Sequence, residues 1–492
     1  MLTKREAGIL LHISSLPGKE GIGTLGESAF SFADWLKENG YSVWQILPVC
    51  HAGFAQSPYL ALSAFAGNPL FIDLETVYRK YDLKLELKAE KHTDNIDFGK
   101  VFGSKMKQLR DVFDLVYIDV SENDRFISFC KNEVGWLEHY ALFASFRDKL
   151  GGVPLCEMPL NFRRSELTIL KENEELLRID IMFYKFIQFE FFEQWKAFRD
   201  YVNQRGIKIL GDLPIYLAYD SCDVWKHSEL FSVNEDLELT ELAGVPPDYF
   251  SETGQLWGNP VYRWDKHKEQ NYNWWERRMK KSLEMFDMIR IDHFRGFAEY
   301  WTVPAGSKTA VGGRWEQGPG MDFFKSVLTK SEMDRIIAED LGVSSEGLSN
   351  LINELKLPGM KVLQFAFDKN TGNTHKPFYF EKNTVVYTGT HDNNTLSGWL
   401  ESVDADELKR IRDYTVSNSS NLHDALIRAA MSSVAKLCII PMQDILGLGE
   451  KARMNIPGTV EGNWLWRMKP NYHINKRCGI VSEMIKVFER SV

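Results

Sequence analysis

MIRIDHF, residues Met288 to Phe294, decides how the rest of the chain is read. It begins like a buried strand, with apolar residues at Met288, Ile289 and Ile291, and ends in Asp292 and His293. Arg290, two residues before Asp292, falls on the same strand face. Taken alone the cluster is an ion pair at a strand end, because structural ion pairs place charges together as readily as active sites do. Seven further runs share its form. They are GILLHISS from Gly8, YSVWQILPV from Tyr41, GIKILGDLPIY from Gly206, RIIAEDLG from Arg335, MKVLQFAF from Met360, TVVYTGTHDNN from Thr384 and LCIIPMQDILGLG from Leu437. Short apolar runs bounded by polar or Gly-rich text are the pattern of buried parallel strands. Helix-like segments such as ESAFSFADWLKENG and SSEGLSNLINELKL separate most of them. Strand alternating with helix implies a parallel sheet, and eight such units imply a closed (β/α)8 TIM barrel.

The spacing of the runs implies large insertions. A barrel needs about 250 residues, and this chain has 492. From about 75 to 205 the text is helical, as in NEVGWLEHYALFASFRDKL and ELLRIDIMFYKFIQFEFFEQWKAFRDYVNQRG, with apolar residues three and four apart. From 220 to 286 a second insertion, rich in Trp, Tyr, Pro and Gly, is also expected to be mostly helical and to carry the active-site loop at 244–260. Both are expected to sit over the barrel mouth as parts of one catalytic domain spanning 1–492. No separate C-terminal β-domain is expected.

Composition narrows the function. The chain is 44% hydrophobic and 26% charged, as ordinary soluble proteins are. A net charge of -9 argues against nucleic-acid or anionic-membrane binding. Aromatics at 13% offer faces on which sugars can stack. The six cysteines show no paired spacing, the start MLTKREAGILLHIS holds no apolar run of the length a signal peptide needs, and no apolar run of about 18 residues occurs in the sequence. A cytoplasmic protein with free thiols is expected.

The polar residues collect at strand ends. Run three carries Asp212, run four Arg290, Asp292 and His293, run five Glu339 and Asp340, run six Asp368, and run seven His391 and Asp392. In a (β/α)8 barrel these ends surround the mouth where active sites sit. Several carboxylates on one rim repel one another unless a cation, protons or a substrate relieves them. Metal-assisted hydrolysis is one chemistry for such a ring, although no H-x-H or H-E-x-x-H spacing occurs. Glycosyl transfer is the other: a carboxylate nucleophile on one side of the anomeric carbon, a carboxylic acid on the leaving-group side. Arg290 would keep Asp292 ionised, and Glu339, in the apolar setting IIAED, would hold a raised pKa as acid and then base.

These residues resemble a known family. RIDHFRGF, AEDLG and TGTHDNNT are similar to the nucleophile, acid/base and third-carboxylate motifs of the α-amylase clan. GILLHISSLPG, SPYLALSAFAGNP, GDLPIYLAYDS, GVPPDYFSETGQLWGNPVY, PGMKVLQFAF and GNWLWRM narrow the resemblance to the 4-α-glucanotransferases (amylomaltase or disproportionating enzyme, glycoside hydrolase family 77). It extends from Gly8 to Met468. By this resemblance Asp292 is the nucleophile, Glu339 the general acid/base, and Asp392 the carboxylate that holds sugar hydroxyls in the transition state. Arg290 and His391 accompany them. Asp212, His293 and Asp368 would line donor and acceptor sugars, while Ser57, Tyr59 and Asn463 would bind outlying groups. Phe250 and Trp257 would stack on the glucan from a closing loop, and Arg295 is left with a structural part.

The resemblance implies a retaining transferase that moves α-1,4-glucan segments to the 4-OH of an acceptor. No cofactor and no metal are implied. Expected partners are malto-oligosaccharides, starch- or glycogen-derived glucans and glucose, bound by a monomer or homodimer. Two departures stand out: Leu60 and Ala61 follow Tyr59 where the family more often has SPYQ, and HDNN replaces the common HDND at Asn394. An α-glucan hydrolase of the same clan uses the same carboxylates, and a catalytically dead glucan-binding protein would not need them.

Overall fold

A computed structural model describes residues 2–53, 56–84, 92–165, 167–247, 251–342, 345–418 and 421–491, the stretch 167–170 by its backbone. All eight expected strands form. We label them β1 (Glu6–Leu10), β2 (Val43–Gln45), β3 (Lys208–Pro214), β4 (Met288–Asp292), β5 (Ile336–Ala338), β6 (Gly359–Val362), β7 (Thr384–Tyr387) and β8 (Leu437–Pro441). They pair in parallel in the order β6-β7-β8-β1-β2-β3-β4-β5. The two edges meet where the Ala338 N–H donates to the Pro358 carbonyl at 3.0 Å. One rung further the Asp340 side chain takes the place of a ladder carbonyl, accepting the Met360 N–H at 2.7 Å. The ring of strands therefore closes as a (β/α)8 barrel.

The inserted residues between β2 and β3 are helical among the described residues, and Asp73, Asp97 and Asn123 cap helix N-termini with their side chains. The longest helix, Arg178–Gln204, buries Phe183, Phe186, Ile187, Phe191, Trp195 and Phe198 at three- and four-residue spacing. Its C-terminal half packs on the barrel: Trp195 sits edge-on to Phe286 at 5.5 Å and Phe198 edge-on to Trp44 at 5.3 Å.

Between β3 and β4 the chain is not purely helical. Glu241–Val245 and Gln255–Pro260 form antiparallel strands that extend into a four-stranded sheet with Glu299–Pro304 and Arg314–Gln317, which lie beyond β4. The sequence patterning had not suggested this sheet. Arg295 lies over the Trp315 ring at 4.0 Å and pairs with Glu299, so its part is to fasten the turn after β4 to the second sheet. The last helix, Lys476–Val487, packs back near the start of the chain, where Ser482 donates to the Asn39 carbonyl at 3.2 Å, and no C-terminal β-domain follows the barrel among the described residues. No described helix is long and apolar enough to cross a membrane.

Candidate active site

The ladder between β3 and β4 sets Asp212 opposite Arg290. Arg290 Nη1 donates to both Asp212 oxygens, at 2.8 and 2.7 Å, while Nη2 lies 2.9 Å from Asp292 Oδ1. Arg290 and Asp212 are each only 3% exposed. Burial works to raise the Asp212 carboxyl, and the Arg290 charge and the Tyr59 hydroxyl work against it. Arg290 thus serves two carboxylates, and the sequence pattern had disclosed only Asp292.

Glu339 comes next along β5. The β4–β5 register pairs Ile291 with Ala338, and the Glu339 N–H donates to the Ile291 carbonyl at 3.1 Å, so Asp292 and Glu339 stand on the following rung. His293 turns the chain through the left-handed region, with φ 47° and ψ 50°, a conformation few non-glycine residues adopt. That turn aims the His293 N–H at Glu339 Oε2, 2.7 Å away, and Oε1 accepts the Leu341 N–H at 2.8 Å. Loss of solvation pushes the Glu339 carboxyl up to about 8; the Asp292 charge adds to the rise, whereas Arg290 and the two amide donors oppose it. The His293 imidazole is pushed down to about 4 by desolvation, and so is neutral at pH 7.

Across the mouth, Asp392 follows β7. Asn455 donates to its Oδ1 at 2.6 Å, Arg453 donates to its backbone carbonyl at 2.7 Å, and His391 Nε2 lies 3.4 Å from Oδ1. Its side chain is 43% exposed, against 29% for Asp292, which leaves it the more open carboxylate.

Tyr59 joins the two halves. Expected at an outlying position, it stands in the middle of the cluster: its hydroxyl donates to Asp212 Oδ2 at 2.7 Å and its ring stacks on His391, centroids 5.1 Å apart. Burial, reinforced by the Asp212 charge, raises its pKa well above that of a free phenol, so it remains a donor. Ser57 holds the turn beneath it, accepting the Tyr59 N–H at 3.3 Å. The helical insertion braces this loop. Gln188 exchanges hydrogen bonds of 2.7 and 2.9 Å with the Gly67 backbone, and from the second insertion Asp223 accepts the Ala64 N–H at 2.8 Å.

The remaining candidates separate. Trp257, on the second sheet, meets His293 edge-on at 4.9 Å. Phe250 lies outside the described residues. Asp368 is not drawn into the cluster; it is exposed in the loop after β6 and accepts hydrogen bonds from Asn370 N and Asn373 Nδ2. Asn463 uses its amide within its own loop, accepting from Ile456 N at 2.9 Å and donating to the Thr459 carbonyl at 3.0 Å. The turn it holds presents Trp464, whose ring approaches both Tyr59, at 5.7 Å, and His391, at 5.8 Å. Asn394 faces Glu450 at 3.5 Å, where an Asp would set two carboxylates together. Among the described residues no group of three or more His, Cys, Asp or Glu is arranged to hold a metal ion.

The 4-alpha-glucanotransferase family model matches residues 11–473. The chain belongs to that family. A 4-alpha-glucanotransferase of Clostridium butyricum is 42% identical over 98% of this chain and all of its own length. One from Thermus thermophilus is 42% identical over 95% of each chain. The solved amylomaltase of Streptococcus agalactiae, in complex with acarbose, superposes with a TM-score of 0.95 at 34% identity, covering 99% of this chain and 100% of that one. The enzyme is therefore a 4-α-glucanotransferase, and the cluster around Arg290 is its candidate active site. Sequence reasoning missed Arg453, Asn455, Trp464 and Tyr216, the last of which lies 6.1 Å from Trp257 and 6.3 Å from His293. Two of them had a signal: Trp464 inside GNWLWRM and Tyr216 inside GDLPIYLAYDS.

Proposed function

We propose that this enzyme is a retaining transferase working through a covalent glycosyl-enzyme on Asp292. The observation that carries the reading is the shared rung of Asp292 and Glu339 on neighbouring parallel strands. Adjacent strands lie about 4.8 Å apart, and retaining glycosidases need carboxyls about 5–5.5 Å apart. Arg290 holds Asp292 Oδ1 and leaves Oδ2 to attack the anomeric carbon. Glu339, with its pKa raised to about 8, is protonated at pH 7 and gives its proton to the departing glycosidic oxygen. The chain beyond the cleaved bond then leaves. An acceptor sugar brings its 4-OH in its place, the Glu339 carboxylate takes that proton, and the new bond forms as Asp292 is released.

Asp392, held by Asn455 and Arg453, is assigned to sugar hydroxyls in the distorted transition state. His391, Tyr59 and Trp464 form a second wall, and the neutral His293 with Trp257 a third. Asp212 is read as the anchor of Arg290 and Tyr59. Asp368 and the 244–260 loop are proposed to act further out on bound malto-oligosaccharides, starch- or glycogen-derived glucans, and Asn463 to act through the turn that presents Trp464.

Maltotriose tests the reading. Transfer yields glucose plus a ladder of longer oligosaccharides, whereas glucose and maltose alone at hydrolytic ratios would exclude it. Asp292→Asn is expected to abolish turnover while retaining the wild-type circular dichroism, and activity is expected to survive EDTA.

A further inference from the structure

Asp444 lies on the short helix Met442–Leu446 that follows β8, 1% exposed. Its Oδ2 accepts the Thr388 hydroxyl at 2.6 Å and its Oδ1 accepts the Leu396 N–H at 2.7 Å. Thr388 is the first residue after β7, and Leu396 opens the helix Leu396–Ser402. Between these points runs the segment that carries His391 and Asp392. Both ends of it hang on one carboxylate. We infer that Asp444 is a positioning residue for Asp392, a buried two-point clamp that fixes where the third acidic side chain stands in the barrel mouth. The inference rests on the assignment of Asp392 made above.

The other contacts of the segment grip it at different atoms. Asn393 accepts from Thr390 N and Oγ1, so it ties neighbours within the segment. Gln364 spans it by backbone carbonyls, its N–H donating to Thr388 O at 3.3 Å and its side chain to Asn394 O at 2.8 Å, and Arg453 and Asn455 hold Asp392 from the opposite side. Asp444 is the residue whose one side chain holds both the Thr388 hydroxyl and the N–H of Leu396 at the helix start. It does so at a cost, because an acid buried without a hydrogen-bonded cation is unfavourable. Burial pushes its carboxyl up to about 6, and Arg477 on the last helix is the charge that most opposes this. His12, His391 and Arg453 line the same small cavity. A carboxylate meets the geometry because it offers two acceptor oxygens, one for the O–H and one for the N–H. An amide can meet it as well, since Oδ1 can accept from Leu396 while Nδ2 donates to a rotated Thr388 hydroxyl. A methyl group cannot.

The test compares Asp444→Ala, Asp444→Asn and Thr388→Val with wild type in maltotriose disproportionation, with melting temperatures measured alongside. A displacement of about 1 Å at a reacting centre costs on the order of a hundredfold. Asp444→Ala should therefore lose roughly 10- to 100-fold in kcat with KM within about threefold. Asp444→Asn should recover to within about fivefold of wild type, and Thr388→Val should fall between them. Loss of kcat in Thr388→Val at an unchanged melting temperature marks positioning, which a purely structural part would not move. Wild-type kcat in Thr388→Val or Asp444→Ala overturns the clamp, as does an Asp444→Asn protein as impaired as the alanine variant. If the alanine variant does not fold, the other two decide. A wild type that only hydrolyses maltotriose refutes transfer, and the variants' rates of glucose release still decide the clamp.

Discussion

The Tyr59 hydroxyl donates to Asp212 Oδ2 across 2.7 Å while the same ring lies on His391. One residue therefore couples the β3–β4 side of the mouth to the Asp392 side. Tyr59→Phe keeps the ring and removes one hydrogen bond to a buried carboxylate. Such bonds contribute about 1.5–3 kcal/mol, so kcat/KM should fall by roughly 10- to 100-fold. Tyr59→Ala also removes the stacking and should lose more. Equal losses in the two variants would show that the hydroxyl alone matters, and an unchanged Tyr59→Phe would show that the bond does not.

Arg290 is bound to two acids, and its removal separates stability from chemistry. Arg290→Met leaves Asp212 buried without its cation, a defect that costs roughly 3–5 kcal/mol. Adding Asp212→Asn neutralises that acid, so the double variant should regain part of the lost stability in urea unfolding. It should regain no activity, because Asp292 still lacks the charge at Oδ1. Recovery of turnover in the double variant would mean that Arg290 acts only through Asp212.

The parts of this architecture that were legible in the sequence are those fixed by local pattern. Each barrel strand lies in a short, mostly apolar run, and the rung that places Glu339 beside Asp292 follows from where each run stops. The four-stranded sheet was not legible because Glu241–Val245 pairs across β4 with Glu299–Pro304, and no local periodicity reports so distant a partner. The grip of Arg290 on Asp212 was hidden for the same reason, since it depends on the β3–β4 register. Asn455 comes from the irregular chain after β8, where neither period nor motif marks it. Asn463 belongs to a recognised motif, yet its amide is committed to holding its own turn, and the motif could not show that the ring of Trp464 is what the turn presents.

Arg490 offers a test of the fold at the opposite end of the barrel. It is fully buried and donates to the carbonyls of Met431, Ser433, Ala435, Lys436 and Glu6, binding the end of the chain to the starts of β1 and β8. Arg490→Met would leave these carbonyls short of a charged donor and should cost roughly 3–5 kcal/mol. Because the site lies at the other barrel face, kcat of the folded variant should stay within about twofold of wild type. A large fall in kcat without loss of stability would contradict this division between the two faces.

Glu339 fixes the pH dependence. Its pKa is raised to about 8 chiefly by desolvation, so the acid form needed to protonate the leaving oxygen is present at neutral pH and lost above pH 8. The kcat/KM of wild type on maltotriose should therefore show an alkaline limb near pH 8. Stability follows the same proton. The folded pKa lies above the ordinary glutamate value of about 4.5, so the native state binds the proton more tightly than the unfolded chain does. This contribution is fully present below about pH 4.5 and is lost as pH rises through 8. Glu339→Gln has no proton to lose, so its stability should decline less over that interval. A donor with a fluoride leaving group needs no general acid, so with α-maltosyl fluoride the Gln variant should still release fluoride, at a rate flat across pH 7–9. An alkaline limb that persists in the variant with this donor would assign the ionisation to another group.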